Sequence, residues 1–162
     1  MTDTGEKINL GVDEDGFVCV VAPDAYSGYV DEDWALYQLL ARFIEQMNQG
    51  SLLVAYPGPD NADDDLAFCK KEPAERFFRE ATGIVRVGEA GLWLTNYTQL
   101  TMAAQFRDSQ PVAKFSRRLP VEPGTYRITL IEESTNPSKF QLSVTPAITG
   151  TITEHSSVPW FD

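Results

Sequence analysis

A chain of 162 residues with 43% hydrophobic and 11% aromatic residues has enough apolar surface for one core and is short for two, so a single globular domain over 1–162 is expected. Its 24 acids against 13 bases leave a net charge of −11, which opposes nucleic-acid binding and favours cationic partners. No apolar run reaches the ~18 residues of a membrane span. MTDTGEKINL lacks the basic start and apolar body of a secretory signal, so the expected location is cytoplasmic with no membrane partner.

The charge is unevenly distributed. Residues 1–66 hold fourteen acids against Lys7 and Arg42, a net of −12, whereas the remainder nets +1. An acidic surface is also what solubility alone requires. Cys19 and Cys69, the two cysteines, have no CxxC spacing and lie in apolar surroundings, which fits buried thiols rather than a disulfide or a zinc site.

In chain order, residues 8–12 (INLGV) and 17–22 (FVCVVA) have strand composition. The Asp15-Gly16 pair between them predicts a hairpin. After Pro23 a loop carries Tyr26 and Tyr29 toward DEDWALYQLLARFIEQMNQG. There Leu36, Leu39, Leu40, Phe43 and Met47 recur at helical spacing opposite Gln38, Arg42, Glu45 and Gln49. Asp31 or Asp33 is the expected N-terminal cap and Gly50 the left-handed terminator. SLLVAYP (51–57) then has the continuous apolar character of a buried strand.

Residues 66–69 (LAFC) suit another short strand. Pro73 suits the first position of a second helix, PAERFFREA, with Phe77, Phe78 and Ala81 inward and Thr82-Gly83 as its stop. From there the pattern is mainly β: GIVRVG, GLWLTNY, VAKFSRRL, TYRITLIEE, KFQLSVTP and AITGTITE, with PVEPG as a turn, while TQLTMAAQFRD suits a strand or a helix, the strand being favoured. Early helices and late strands predict an α+β fold, a largely antiparallel sheet or sandwich with two helices packed on one side.

No catalytic constellation is present. His155, the single histidine, lies between Glu154 and Ser156 near the chain end and reads as an exposed bystander, so no Ser/His or Cys/His site is expected. Asp60, Asn61, Asp63, Asp64 and Asp65 lack the spacing, glycine and closing glutamate of a calcium loop, and Asp13 to Gly16 fails likewise. No metal, cofactor or enzymatic activity is expected. The bases Lys70, Lys71, Arg76, Arg79, Lys114, Arg117, Arg118 and Arg127 read as intramolecular pairs or strand-edge charges.

Trp34 projects about 160° from Leu36 on the helix, outside the apolar stripe. Among Asp31, Glu32 and Asp33, and near Tyr26 and Tyr29, it suits an aromatic anchor in an acidic rim; packing against those tyrosines as a helix-start staple is the plainer reading. The tail SSVPWFD either docks or serves as a recognition peptide, docking being commoner.

The stretch Lys114 to Glu132, KFSRRLPVEPGTYRITLIE, has a basic strand end, a Pro/Gly turn and a Tyr-containing strand. It resembles the C-terminal strand, turn and strand of the competence protein J family of nuclease inhibitors, within the broader class of bacterial immunity proteins. That resemblance implies an inhibitor and assigns no residue a role. The expected function is therefore an immunity protein that occludes the active site of a cationic toxin or nuclease. Its contact residues would be Asp24, Tyr26, Tyr29, Asp31, Glu32, Asp33, Trp34, Asp60, Asp63, Asp64 and Asp65, together with the acids Asp13 to Asp15. The alternative is a β-sandwich module binding a small molecule or sugar through Trp93, Tyr97 and Trp160.

Overall fold

The computed structural model describes residues 6–8, 16–26, 35–58, 60, 65–71, 77–95, 116–133, 139–147 and 154–160, with the backbone alone described at 6–8, 65 and 116. Among these residues helix α1 runs over Leu36–Asn48, and the strands in chain order are β1 Glu6–Ile8, β2 Val18–Val21, β3 Leu52–Ala55, β4 Asp65–Cys69, β5 Phe77–Val87, β6 Leu92–Thr95, β7 Ser116–Leu119, β8 Gly124–Glu133 and β9 Lys139–Pro146.

The strands form two sheets. One has the order β1-β4-β9-β8-β5, and the other β3-β2-β6-β7. Every pairing is antiparallel except β4 with β9. Residues of both sheets and of α1 join one continuous apolar core. β2 and β3 are buried at every position, so both of their faces are covered, which is why VCVV and LLVA are apolar without alternation. In β8 the run Ile128 to Glu132 is likewise buried throughout. TYRITLIEE therefore does not alternate: Thr129 and Ile131 are buried along with Ile128 and Leu130.

The α1 stripe is buried at Leu39, Phe43, Gln46 and Met47. Gln46, a polar residue in that stripe, is satisfied because its Oε1 accepts from Ser51 Oγ at 2.8 Å. The helix ends as expected: Gly50 has φ +80°, its N–H donates to Met47 O at 3.1 Å, and Ser51 N–H donates to Gln46 O at 3.1 Å. Its start differs from the expected Asp31 or Asp33 cap. Ala35 stands at the N-cap and its N–H donates to the Gln38 side chain at 2.8 Å. Leu36, in the first turn, is 46% exposed and does not join the core.

Two sequence expectations are overturned. The predicted hairpin does not form: β1 pairs with β4 in one sheet, and β2 lies between β3 and β6 in the other. Gly16 does mark a turn, with φ +95°, but β3 and β6 take both edges of β2 and leave none for β1. The second helix is also absent among the described residues, where α1 stands alone. Phe77 onward is the eleven-residue strand β5, laddered against β8 with a bulge between Phe77 and Arg79. Phe77 and Phe78, expected inward, are 37% and 70% exposed. A nine-residue helical stripe was outweighed by the β-branched continuation Thr82 to Val87 and the long ladder it makes. Thr82 and Gly83 lie inside the strand; Thr82 Oγ1 is within 3.1 Å of Ile128 O and of Thr129 Oγ1.

Candidate partner-binding surface

Asp24 follows Pro23 in the turn that leaves β2, where the Ala25 and Tyr26 N–H groups both donate to Ala22 O. Its side chain is exposed, and its Oδ2 accepts from Ala90 N–H at 2.8 Å. This bond ties the turn to the Gly88–Gly91 reversal that carries the chain from β5 to β6 and from one sheet to the other. Gly88 lies so close to the Asp24 side chain that a Cβ there would collide with it. Asp24 thus has a positioning role in the fold as well as an exposed charge.

Asp60 is exposed and follows Gly58, whose N–H donates to Gly16 O at 3.0 Å. Gly16 precedes β2 and Asp24 follows it, so these two exposed acids flank opposite ends of that strand. Tyr26 is 5% exposed and belongs to the core, so its ring is a support from within rather than a projecting anchor. Asp65 opens β4 level with Lys139 of β9. Tyr29, Asp31, Glu32, Asp33, Trp34, Asp63 and Asp64 lie outside the described residues, as do Asp13 to Asp15.

Trp93 and Trp160, two aromatic residues of the alternative reading, have different surroundings. Trp93 Nε1 donates to Ala90 O at 2.7 Å with the Arg118 guanidinium 5.9 Å from its ring, while Trp160 packs elsewhere, against Arg79 and Phe140. Tyr97 lies outside the described residues. Arg118 and Arg86 donate to the backbone oxygens of Glu89 and Gln49, and Arg79 pairs with Glu132 at 2.6 Å. Arg79, Arg86 and Arg118 are thus used within the molecule, although Arg79 takes its acid from the second half of the chain. Cys19 and Cys69 are buried free thiols, as expected. No helix among the described residues is long and apolar enough to cross a membrane.

The tail docks at 154–160. Asn48 and His155 exchange two hydrogen bonds, Nδ2 to His155 O at 3.0 Å and His155 N–H to Oδ1 at 2.7 Å; Tyr56 N–H donates to Pro159 O, and Val158 is buried. Trp160 completes the strap. Its Nε1 donates to Glu80 O at 3.2 Å under the Arg79 guanidinium, 4.3 Å from the ring.

His155 is consequently half-buried beside Gly83 and is not the exposed bystander expected from its place near the chain end. Burial disfavours its charged form and lowers its pKa from the ordinary 6.5. As pH falls through 6.5 the unfolded chain takes up this proton first, so stability falls between 6.5 and the lowered folded value. The ring-proton NMR midpoint is therefore expected below 6.5, and the drop in stability from about pH 7.5 to about pH 5.5 is expected to shrink in His155→Gln. A midpoint at or above 6.5 would contradict the burial.

No protein-family model matches the chain, and no curated protein matches it. Among solved structures, its fold bears a faint likeness to ComJ, inhibitor of the DNA-degrading activity of NucA, from Bacillus subtilis. The likeness covers 88% of this chain and 96% of that one at 12% identity, with a TM-score of 0.48, and concerns the course of the chain alone.

Proposed function

We propose that this protein is a stoichiometric inhibitor, an immunity protein that binds a cationic toxin or nuclease and occludes its active site. The observation that carries this reading is charge segregation: fourteen acids against two bases in residues 1–66, in a chain whose remainder is near neutral. Such a field speeds encounter with a cationic groove and lets carboxylates stand where substrate phosphates would. Asp24 and Asp60, exposed at opposite ends of β2, support two acidic contact regions rather than one. Asp31, Glu32, Asp33 and Trp34, with Tyr29, are the proposed anchor, and Asp63, Asp64 and Asp65 are further proposed contact residues. The protein acts as one domain in the cytoplasm and needs no cofactor.

Immobilised protein exposed to lysate of its source organism at low and high salt, with mass spectrometry of what is retained, identifies the partner. A single basic protein held one to one, and inactivated in the complex, is the expected result. Asn, Gln and Asn replacing Asp31, Glu32 and Asp33 are expected to slow association about tenfold at low salt and flatten its salt dependence, with dissociation little changed. Unaltered association kinetics would remove that cluster from the interface.

A further inference from the structure

A cleft of about 520 Å³ opens between the ends of three neighbouring strands and the β7–β8 connection, lined by Lys70, Pro120, Val121, Glu122, Tyr126, Val144 and Pro146. The ladder explains their convergence. Tyr126 of β8 is opposite Pro146 of β9, and Cys69 of β4 is opposite Ser143, which brings Lys70 level with Val144. Val121 and Val144 are buried and make the floor; Lys70, Glu122, Pro120 and Pro146 are exposed around the mouth. Tyr126 Oη donates to Glu122 O at 2.8 Å, which holds the half-buried ring as a wall. The volume falls within the range of small-molecule sites.

Its charges define the ligand. Lys70 and Glu122 both line the cleft, and among the described residues neither has an ion-pair partner. A simple anion would meet the Glu122 carboxylate and a simple cation the Lys70 ammonium. The geometry points to a small zwitterion with an apolar body, a free aromatic or aliphatic amino acid, as the ligand of this cleft. Its carboxylate faces Lys70, its ammonium faces Glu122, and its side chain lies along the Tyr126 ring over Val121 and Val144. Its occupancy does not depend on the inhibitor reading.

Heteronuclear NMR titration of the intact protein tests it with three probes: L-phenylalanine, 3-phenylpropionate, which lacks the ammonium, and phenethylamine, which lacks the carboxylate. L-phenylalanine is expected to give saturable shifts at the amides of Lys70, Val121, Glu122, Tyr126 and Val144, with a dissociation constant on the order of 1 mM. Each truncated probe is expected to bind about three- to fivefold more weakly, the scale of one exposed ion pair. Lys70→Met should weaken L-phenylalanine to the level of phenethylamine and leave phenethylamine unchanged. Glu122→Gln should weaken it to the level of 3-phenylpropionate. Both positions are exposed, so both variants are expected to fold. No saturable shift by about 20 mM L-phenylalanine, far above the expected constant, would overturn the proposal. So would equal binding of all three probes, or shifts that neither variant alters.

Discussion

Phe43→Ala is expected to lower the unfolding free energy by about 3–5 kcal/mol, the scale of a fully buried aromatic truncated without collapse of the site. Phe43 is 0% exposed at the centre of the α1 stripe, and its ring lies edge-on to Phe17 with centroids 6.4 Å apart. Phe17 in turn packs on Tyr56 at 4.8 Å, so one truncation loosens the contact between the helix and the chain flanking β2 and β3. Relaxation into the hole is limited because Leu39 and Met47, one turn away on either side, are themselves buried in the same core. A domain of ordinary stability has only about 5–15 kcal/mol to lose. Urea denaturation followed by circular dichroism measures the change, with Tyr37→Ala, 73% exposed on the same helix, as the comparison expected within about 0.5 kcal/mol of the parent. Similar midpoints for the two variants would mean that α1 does not seat through Phe43.

Glu132→Gln is the second large effect, a loss of about 2–3 kcal/mol. Glu132 is buried on β8 and its carboxylate accepts from Arg79 Nε of β5 at 2.6 Å. Arg79 also donates to Pro57 O at 3.1 Å and lies over the Trp160 ring, so one guanidinium joins β5, β8, the segment after β3 and the tail. Neutralising the acid keeps the volume but leaves a partly desolvated cation without its counter-charge. The figure is set below that for a fully buried pair because Arg79 remains 26% exposed to solvent. The paired replacement Arg79→Met with Glu132→Leu is expected to be much milder, since no charge is then left behind. If the single and paired variants lose equal stability, packing rather than charge accounts for the effect. Trp160→Ala should reduce the Glu132→Gln penalty if the stacked tail contributes to holding the guanidinium in place.

Local patterning was informative wherever burial follows a short period or a continuous run. KFQLSVTP coincides with β9, LLVA with β3, and LAFC falls within β4, because these stretches are apolar on the faces that the fold covers. The helix body and its Gly50 terminator follow from a 3.6-residue period and from the left-handed conformation that glycine adopts at little cost. Both thiols were legible as buried. The helix start was not: the several acids before Ala35 obscured the Ala35–Gln38 bond that closes it.

Strand partners were beyond the reach of the pattern. An Asp-Gly turn between two strand-like runs favours a hairpin locally, yet β1 and β2 enter different sheets because non-local ladders offered each more than they offered one another. The FFREA segment matches a helical stripe and a strand about equally, and β8, some fifty residues later, decides between them. His155 was misjudged for the same reason, since its burial depends on Asn48 and Gly83, far away in the chain. The cleft lies further still from local legibility: Lys70, Tyr126 and Val144 share no motif and meet through the β4–β9 and β8–β9 registers.

By itself the sequence determined the acidic first part, the helix, the wholly apolar strands and the reduced cysteines, because charge and hydrophobic period are properties of neighbouring residues. Only the tertiary structure decided how the strands sort into two sheets, that residues 77–87 are extended, and which distant side chains share the Arg79 junction or the cleft. Those choices depend on free-energy differences between whole pairings, and no single segment contains both partners.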